Sequence, residues 1–259
     1  MGQGHGYIRL KKEYGQNFLR DDAVARAAVE AVALENANVL EIGPGDGFLT
    51  RHILAEPVKV VKAFEIDSEW AGRLRQTLRD KRLQVVCQNI LDVDFAQFES
   101  DAPWVLLSNL PYHITFPILR RVQAYRHLFR AGVIMVQEEV AQKIVGTSGR
   151  SYGVISLFFQ RYFLWKKLQK VPPTSFVPPP KVYSRLLLFE PRVQIEPIEK
   201  EEEFWQFIKV IFRQPRRTLR NNLRQAHYPI ERLDDQLLSL RAQQLSMDDF
   251  VRLWRLFIA

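Results

Sequence analysis

Short runs of apolar residues alternate along the chain with segments whose apolar residues recur at helical spacing. Five runs predict strands of a sheet: ANVLEIG, VKVVKAFEI, RLQVVCQN, WVLLSNL and AGVIMVQ. Helices are predicted by DDAVARAAVEAVAL, SEWAGRLRQTLRD and TFPILRRVQAY, in which apolar residues fall three and four positions apart. This alternation favours an α/β fold with a mainly parallel sheet that helices cover on both faces.

The pattern changes in the last third of the chain. FLWKKLQKV and VYSRLLLFE predict two more strands, joined through VPPTSFVPPPKV, whose prolines indicate an ordered extended loop or a linker. After about residue 192 the pattern is helical throughout, in EEEFWQFIKVIF, PRRTLRNNLRQA, IERLDDQLLSL and SMDDFVRLWRLF. We therefore predict a sheet domain over 1–191 and a small helical domain over 192–259.

The composition of the chain excludes some classes of protein. A chain of 259 residues with one cysteine, Cys87, excludes an internal disulfide framework and fits a reducing compartment. No apolar run approaches the ~20 residues of a membrane span, and the start lacks the apolar core of a signal peptide, so we expect a soluble, cytoplasmic protein that meets no membrane. The formal charge of +8 favours a polyanionic partner, although many basic proteins bind no nucleic acid.

A glycine-rich loop, LEIGPGDGFLT, follows the first predicted strand. Glycine at 43, 45 and 47 lets the backbone turn tightly and approach a ligand, although a purely structural turn fits this pattern equally well. Glu65 comes about 20 residues later, where a carboxylate can bind both hydroxyls of a ribose. Glu41 would sit badly beside a pyrophosphate and suits a cofactor with a cationic amino-acid end, such as S-adenosylmethionine. The alternative is that both glutamates only cap the ends of their strands and bind no ligand.

Asn109, Leu110, Pro111 and Tyr112 end the fourth predicted strand, which places them at the same edge of the sheet as the glycine loop. The Asn109 amide oxygen and the Leu110 carbonyl can accept hydrogen bonds from an exocyclic amine, and Tyr112 offers a face on which a base can stack. Two such acceptors stabilise the positive charge that develops on an adenine amine as it attacks a methyl group, so no general base is required. A strand-ending turn with a packed tyrosine is the alternative.

The motif series resembles the rRNA adenine N6,N6-dimethyltransferases, and within them the bacterial small-subunit enzymes linked to kasugamycin sensitivity. The similarity extends over nearly the whole chain, in YGQNFL, EIGPGDGFLT, FEID, SNLPYHI, VPPTSFVPPPKVYSRL and FRQPRRTLRNNL. It implies a Rossmann-like methyltransferase sheet with a small all-helical C-terminal domain. It further implies a monomer that uses S-adenosylmethionine to dimethylate two adjacent adenines in a hairpin near the 3′ end of 16S rRNA during small-subunit biogenesis.

The resemblance also assigns roles to individual residues, with no metal ligand among them. The implied cofactor-binding residues are Gln16, Asn17, Leu19, Glu41, Gly43, Gly45, Glu65, Ile66, Asn89 and Asn109. The implied catalytic residues, which hold the target adenine, are Asn109, Leu110, Pro111, Tyr112 and Phe176. Phe176 would close over the second face of that adenine, whereas without the family a phenylalanine in a proline-framed loop is most often a core residue.

Three positions depart from the family pattern. Gln88-Asn89 replaces the usual Gly-Asp, so an amide stands where a carboxylate would accept from the adenine amine of the cofactor. The Asn89 oxygen can still accept that bond, and we expect Gln88 or a backbone carbonyl to fix the orientation of its amide. Tyr183 replaces a common aspartate, and Pro215 replaces an arginine in the tail. These last two bear on RNA contacts rather than on the chemistry.

No acidic residue occurs between Phe204 and Ile230, a region rich in arginine. If Pro215 is the first residue of a helix, the arginines that follow it share one side of that helix and could contact RNA phosphates. The implied RNA-binding residues are Arg216, Arg217, Arg220 and Arg224. Solvated surface charge explains any one of them about as well. Arg9, Lys11 and Lys12 could extend the same surface.

Three other functions stay open. An erythromycin-resistance methyltransferase would perform the same chemistry on a large-subunit rRNA adenine, although YGQNFL and TLRNNL favour the small-subunit enzyme. A non-catalytic nucleic-acid-binding relative is the second, and the intact Asn-Leu-Pro-Tyr argues against it. A small-molecule or DNA adenine methyltransferase is the third, and the basic helical tail argues against it.

Overall fold

A computed structural model of the chain describes residues 11, 16–231 and 233–258. Within these residues, seven strands form one sheet and two short strands pair separately. The strands are β1 (Phe18–Leu19), β2 (Asn38–Ile42), β3 (Val60–Glu65), β4 (Leu83–Cys87), β5 (Trp104–Asn109), β6 (Phe129–Gln137), β7 (Phe163–Val171), β8 (Phe176–Val177) and β9 (Ser184–Pro191). The α-helices are α1 (Asp22–Glu30), α2 (Phe48–Ala55), α3 (Ser68–Thr77), α4 (Thr115–Ala124), α5 (Glu138–Val145), α6 (Val154–Tyr162), α7 (Glu201–Ile211), α8 (Leu219–Gln225), α9 (Asp235–Ser239) and α10 (Met247–Ile258).

The sheet has the order β4-β3-β2-β5-β6-β9-β7. Strands β2 to β6 are parallel to one another, and β9 is antiparallel to β6. All five residues of β2 are buried, so both faces of the sheet are covered, as the continuous apolar runs predict. The strand order reverses between β2 and β5, which is the point where open α/β sheets bind ligands. The predicted α/β fold is confirmed.

Alternate residues of the central strands build the core under α1 and α2. Val39, Val105 and Val133 are almost completely buried there, together with Val24 of α1 and Ile53 of α2. Helix α1 begins where predicted because the Asp21 carboxylate accepts hydrogen bonds from the backbone N–H groups of its first turn. This packing fixes the strands whose carboxyl ends carry the predicted site.

The proline-rich connection is an ordered loop rather than a linker. A single turn over Pro173–Ser175 leads into β8, which pairs antiparallel with β1. The Ser175 carbonyl accepts from the Arg20 backbone N–H at 2.8 Å, and the Ser175 hydroxyl donates to the Asp21 carboxylate at 2.8 Å. The loop therefore ties the N-terminal segment to the sheet.

The chain divides into two compact units, and the division differs from the predicted boundary. The sheet unit is Met1–Ala141 with Leu164–Pro191, and the helical unit is Gln142–Phe163 with Arg192–Ala259. The sequence interpretation placed the first segment of the helical unit in the sheet domain. That segment belongs with the tail because Tyr152 is buried in the helical core and its hydroxyl donates to the Leu245 carbonyl at 2.7 Å.

The helical unit buries one face of α7, in which Phe204, Phe207 and Ile211 are fully enclosed. Trp254 of α10 packs against the same core, and its indole N–H donates to the Glu199 carbonyl at 2.8 Å. Among the helices of the described residues, none combines the length and hydropathy needed to cross a membrane.

Candidate functional site

A cavity of about 310 Å³ opens at the carboxyl ends of the parallel strands β2, β3, β4 and β5, within the size range of small-molecule pockets. Thirteen of the predicted site residues line it: Gln16, Asn17, Leu19, Glu41, Gly43, Gly45, Glu65, Ile66, Asn89, Asn109, Leu110, Pro111 and Tyr112. The structure thus brings together residues from five separate parts of the sequence. Phe176 does not line this cavity.

The glycine loop forms the floor of the cavity and requires glycine at its turns. Gly43, Gly45 and Gly47 have φ angles of +67°, +57° and +81°, which residues with a side chain rarely adopt. A Cβ at Gly45 would lie 2.4 Å from the ring of Phe18, which itself packs on Trp70 with 4.8 Å between ring centroids. The loop therefore lets the N-terminal segment approach the backbone closely.

Glu41 is a buried carboxyl group at the end of β2, with 1% of its surface exposed. The Thr50 hydroxyl donates to its Oε2 at 2.7 Å. The pKa of Glu41 is raised to about 8, mainly by burial and to a smaller extent by the nearby carboxylates of Glu65 and Asp46. A cationic group in the cavity would relieve both effects, which fits a ligand with a positively charged end.

Glu65, at the end of β3, is also buried and holds the loop next to it. Its Oε2 accepts from the Gly45 backbone N–H and its Oε1 from the Asp67 backbone N–H, both at 3.0 Å. Burial raises the pKa of Glu65. Each carboxylate oxygen keeps a second lone pair, so the group can still accept from the hydroxyls of a ribose. The glycine floor and the two glutamates together fit S-adenosylmethionine.

The N-terminal segment is held beside Glu65 through Asp67. The Gln16 side-chain NH₂ donates to Asp67 Oδ2 at 3.3 Å, and the Lys11 ammonium lies 3.0 Å from Asp67 Oδ1. The Gln16 oxygen accepts from the Lys11 backbone N–H at 2.9 Å. Gln16 therefore fixes this segment at the cavity wall, and Lys11 has a local partner instead of standing free for RNA. Arg9 and Lys12 lie outside the described residues.

The Asn109 amide has a fixed orientation. Its NH₂ donates to the Asn17 backbone carbonyl at 3.1 Å, a contact that spans 92 residues of sequence. Within the described part of the chain, no donor meets its Oδ1. The neighbouring backbone is also fixed, because the Leu110 N–H donates to the Met135 carbonyl at 3.1 Å. The amide oxygen is thus available to accept hydrogen bonds from an amine in the cavity.

Tyr112 is held by a residue that the sequence analysis missed. Its hydroxyl lies 2.6 Å from the hydroxyl of Ser184, which is fully buried at the start of β9. Burial raises the pKa of Tyr112, so this phenol stays neutral. A serine buried within the apolar strand VYSRLLLFE was the available signal, but its partner 72 residues earlier could not be read from the sequence.

The structure places Phe176 in the core and not in the cavity lining, and its closing over a bound adenine stays a prediction. The Phe176 side chain is 2% exposed and belongs to the core beneath α1 and α2. Strand pairing explains the placement, because Phe176 lies opposite Leu19 and both point into that core. The interpretation as a core residue is the one that the structure supports.

Asn89 lines the cavity, but its amide is not fixed as expected. Its Oδ1 accepts from the Leu91 backbone N–H at 3.1 Å, so it caps the single turn Ile90–Asp92. Among the described residues, neither Gln88 nor a backbone carbonyl accepts from the Asn89 NH₂. A short polar side chain before a turn commonly makes such a bond.

The arginine segment lies in the helical unit and differs from the prediction. Helix α8 begins at Leu219 and not at Pro215, because the Leu219 N–H donates to the Leu240 carbonyl at 2.7 Å and Thr218 pairs with Arg241. Arg216 and Arg217 therefore lie in the preceding turn, and both are exposed. Arg220 and Arg224 lie on α8. The guanidinium of Arg220 pairs with Asp235 at 2.6 Å, while Arg224 is exposed.

Comparisons with known proteins agree with this geometry. The ribosomal RNA small subunit methyltransferase A of Syntrophotalea carbinolica is 36% identical over 257 residues, which cover 96% of this chain and 97% of the relative. The protein of the same name from Mesomycoplasma hyopneumoniae is 37% identical over 249 residues, with 94% of each chain covered. Both similarities extend through the sheet unit and the helical unit.

Two solved structures share the fold. A dimethyladenosine transferase from Plasmodium falciparum has a TM-score of 0.78 at 22% identity, with 93% of this chain and 97% of that chain covered. The 23S rRNA methyltransferase ErmE has a TM-score of 0.75 at 24% identity, with 94% and 100% covered. The family model for ribosomal RNA adenine dimethylases matches residues 8–256. The chain therefore belongs to the ribosomal RNA adenine dimethylase family and is a methyltransferase that uses S-adenosylmethionine.

Proposed function

We propose that the chain dimethylates two adjacent adenines in a hairpin near the 3′ end of 16S rRNA during assembly of the small ribosomal subunit. The orientation of the Asn109 amide is the observation that carries the chemistry. The names of the relatives that are about 36% identical over nearly the full chain support the small subunit as the substrate. A monomer in the cytoplasm, where ribosomal subunits assemble, is part of the proposal.

The target side of the cavity supports methylation of an amine. Asn109 Oδ1 and the Leu110 carbonyl accept the hydrogens of the adenine amine, while Tyr112 stacks on the base. These acceptors bind most strongly when the nitrogen has become positively charged, so they lower the barrier more than they tighten substrate binding. Because the Asn17 carbonyl already fixes the amide, little reorganisation is needed during the reaction.

The opposite side would hold the cofactor. When bound, S-adenosylmethionine supplies a methyl group carried on a positively charged sulfur. Glu41 would hold the cationic amino-acid end, Glu65 the ribose hydroxyls and Asn89 the adenine. The glycine floor lets the backbone approach this ligand without side-chain interference.

The exposed arginines of the helical unit support RNA binding. Arg216, Arg217 and Arg224 are exposed, and we assign them to phosphate contacts. Arg220 contributes less in this proposal, since Asp235 already neutralises its charge. Replacing the three exposed arginines should flatten the salt dependence of rRNA binding by roughly two to three units of slope, because each lost phosphate contact removes roughly 0.7 to 0.9 units.

Methylation of unmethylated small subunits tests the function. Purified protein is incubated with these subunits and labelled S-adenosylmethionine, and the modified nucleotides are mapped by primer extension. The proposal expects dimethylation of two adjacent adenines near the 3′ end of 16S rRNA. Label confined to large-subunit rRNA would select the erythromycin-resistance type of reaction, and no label on either subunit would select a non-catalytic relative.

A further inference from the structure

Tyr183 presents an aromatic ring on the surface of the sheet unit. The residue is 48% exposed, and the ammonium of Lys170 lies 4.3 Å from the centroid of its ring. A cation over one face of a tyrosine ring restrains the ring and leaves the other face open to a second partner. An exposed, restrained ring is the kind of group on which a nucleic-acid base stacks.

The position of Tyr183 relates it to the cavity. The Tyr183 carbonyl accepts from the Glu138 N–H at 2.9 Å, and the next residue, Ser184, pairs with Gln137 at the carboxyl end of β6. That end lies at the same edge of the sheet as Asn109, the last residue of β5, since β5 and β6 are parallel neighbours. Strand β9 is two strand spacings from β5, roughly 10 Å.

The backbone around Tyr183 is firmly held. The guanidinium of Arg185 makes two hydrogen bonds to the Glu138 carboxylate, at 2.7 and 3.0 Å, and a third to the Leu168 carbonyl at 3.0 Å. Ser184 is fully buried against the hydroxyl of Tyr112. The backbone that carries the ring of Tyr183 is therefore rigid, and it lies directly before the residue that contacts Tyr112.

Positive charge is concentrated on the strand and the turn that carry Lys170 and Tyr183. Four lysines on β7 and the turn before β9 are exposed, and no ion pair is recorded for them within residues 16–231: Lys166, Lys167, Lys170 and Lys181. Strand β7 lies at the edge of the sheet. Lysines on an edge strand can serve simply to prevent pairing with another chain. That role explains lysines, but it does not explain a tyrosine held over one of them.

We propose that Tyr183 stacks on a nucleotide next to the target adenine, while Lys170 and Lys181 contact the phosphates that flank it. Enzymes that modify a base take it out of the stack, and the neighbouring base then loses a stacking partner. A ring about two strands from Asn109 can replace that partner and so stabilise the flipped arrangement. This inference rests on the proposed function and adds a nucleotide site on the sheet unit, separate from the arginines of the helical unit.

The test compares Tyr183→Ala with Tyr183→Phe. Affinity for unmethylated small ribosomal subunits, and KM and kcat for their methylation, are measured at several salt concentrations. Loss of the ring should raise the dissociation constant and KM by roughly 5-fold to 30-fold, whereas phenylalanine should stay within about two-fold, because stacking needs the ring and not the hydroxyl. Affinity for S-adenosylmethionine should not change in either variant.

Lysine variants test the phosphate contacts. Lys170→Ala with Lys181→Ala should flatten the salt dependence by roughly 1.4 units, or 0.7 for each contact to a single strand. Lys59→Ala is the matched control. Lys59 is also exposed, but it lies at the amino end of β3, whereas the cavity lies at the carboxyl ends of the strands. Lysines that only protect the edge would leave the slope unchanged and would instead alter solubility.

The outcomes separate this site from the proposed function. If the wild-type protein methylates small subunits and Tyr183→Ala does so with unchanged KM, the nucleotide site is refuted and the function stands. If the wild-type protein methylates no small subunit, the function fails, and the binding comparison of Tyr183→Ala with Tyr183→Phe decides whether the ring contacts RNA. Equal loss of affinity in both of these variants also overturns the stacking role.

Discussion

Around the glycine loop, the carboxylates of Glu41 and Glu65 already accept hydrogen bonds from Thr50 and from backbone N–H groups. At the end of β5 the arrangement is reversed: the Asn109 NH₂ is bound to the protein, while no donor in the described ranges meets its oxygen. The cofactor half of the cavity, with Glu41 and Glu65, consists of buried carboxyl groups whose negative charge a positively charged ligand would balance. The target half, with Asn109, presents a neutral hydrogen-bond acceptor in a fixed orientation.

This difference separates binding from catalysis. Buried carboxylates with raised pKa values gain most when a cationic ligand arrives, so they should govern cofactor affinity. A fixed neutral acceptor gains most when charge develops on the substrate nitrogen, so it should govern turnover. Variants in the two halves should therefore change different kinetic constants.

The largest expected effect is on turnover. Asn109→Ala removes the acceptor for the adenine amine and should lower kcat by ~10²-fold or more, as removal of a transition-state hydrogen bond does in other enzymes. Its dissociation constant for S-adenosylmethionine should change less than about three-fold, as calorimetry can measure. Tyr112→Phe is the comparison within the same half, because it keeps the ring and loses only the bond to the buried Ser184 hydroxyl. It should lower the free energy of unfolding by about 1–3 kcal/mol. An unchanged kcat for Asn109→Ala would remove Asn109 from the chemistry.

The next effect concerns stability and pH. The pKa of Glu41 is about 8 in the folded protein and 4.5 when unperturbed, so the folded state binds this proton more tightly than the unfolded state does. The resulting stabilisation is complete below pH 4.5 and is lost as the pH rises to 8, at ~1.4 kcal/mol per pH unit. We expect the free energy of unfolding of the cofactor-free protein to fall over this window, and Glu41→Gln to flatten the fall.

Chemical denaturation at pH 5, 6, 7 and 8 measures this difference. S-adenosylmethionine should reduce the slope of the wild-type protein, because its cationic end favours the ionised carboxylate. If the free energies of unfolding of the wild-type protein and Glu41→Gln change with pH in parallel, Glu41 stays ionised in the folded protein. The cofactor half would then lack the buried carboxyl group with a raised pKa that distinguishes it from the target half.

A smaller effect is expected at the floor of the cavity. Gly45→Ala places a side chain at φ +57° and a Cβ within 2.4 Å of the Phe18 ring, and should destabilise the protein by about 1–2 kcal/mol. Affinity for S-adenosylmethionine should fall with it, since Phe18 must move. Gly72→Ala in α3 is the matched control, because no atom lies within 4 Å of its added Cβ and alanine favours a helix. Equal stability of the two variants would contradict the close approach at Gly45.

The sequence predicted the elements that depend on local pattern and missed contacts between distant residues. The strands β2 to β6 and the meeting of the glycine loop with Asn109 follow from periodicity and parallel topology. The start of α8 was misplaced because the bond from Leu219 to Leu240 outweighs the local preference of Pro215 for a helix start. The buried position of Phe176 has no local signal, because it depends on the pairing of β8 with β1, more than 150 residues away in sequence. The bond from Asn109 to Asn17 has no local signal either.

Asn89 shows how such a contact changes a prediction. Its single amide oxygen already accepts from the Leu91 N–H, so a hydrogen bond from the adenine amine of the cofactor would have to share that oxygen through its second lone pair. An aspartate could keep the bond to Leu91 with one oxygen and accept from the cofactor with the other. We therefore expect Asn89→Asp to tighten S-adenosylmethionine binding by ~1 kcal/mol, a few-fold in dissociation constant, without changing which adenines are methylated.

Calorimetric titration of the cofactor into the wild-type protein and Asn89→Asp decides the sign. Gln88→Glu is the control, because it adds the same charge at a neighbouring residue of the cavity that makes no recorded cap. Asparagine and aspartate cap turns about equally well, so the free energy of unfolding should hardly change and the comparison isolates the ligand contact. Desolvation of the new carboxylate opposes the gain, since its partner in the cofactor is neutral. Weaker binding by the aspartate form would mean that desolvation exceeds the added hydrogen bond, and that the cavity recognises the adenine of the cofactor through the asparagine NH₂.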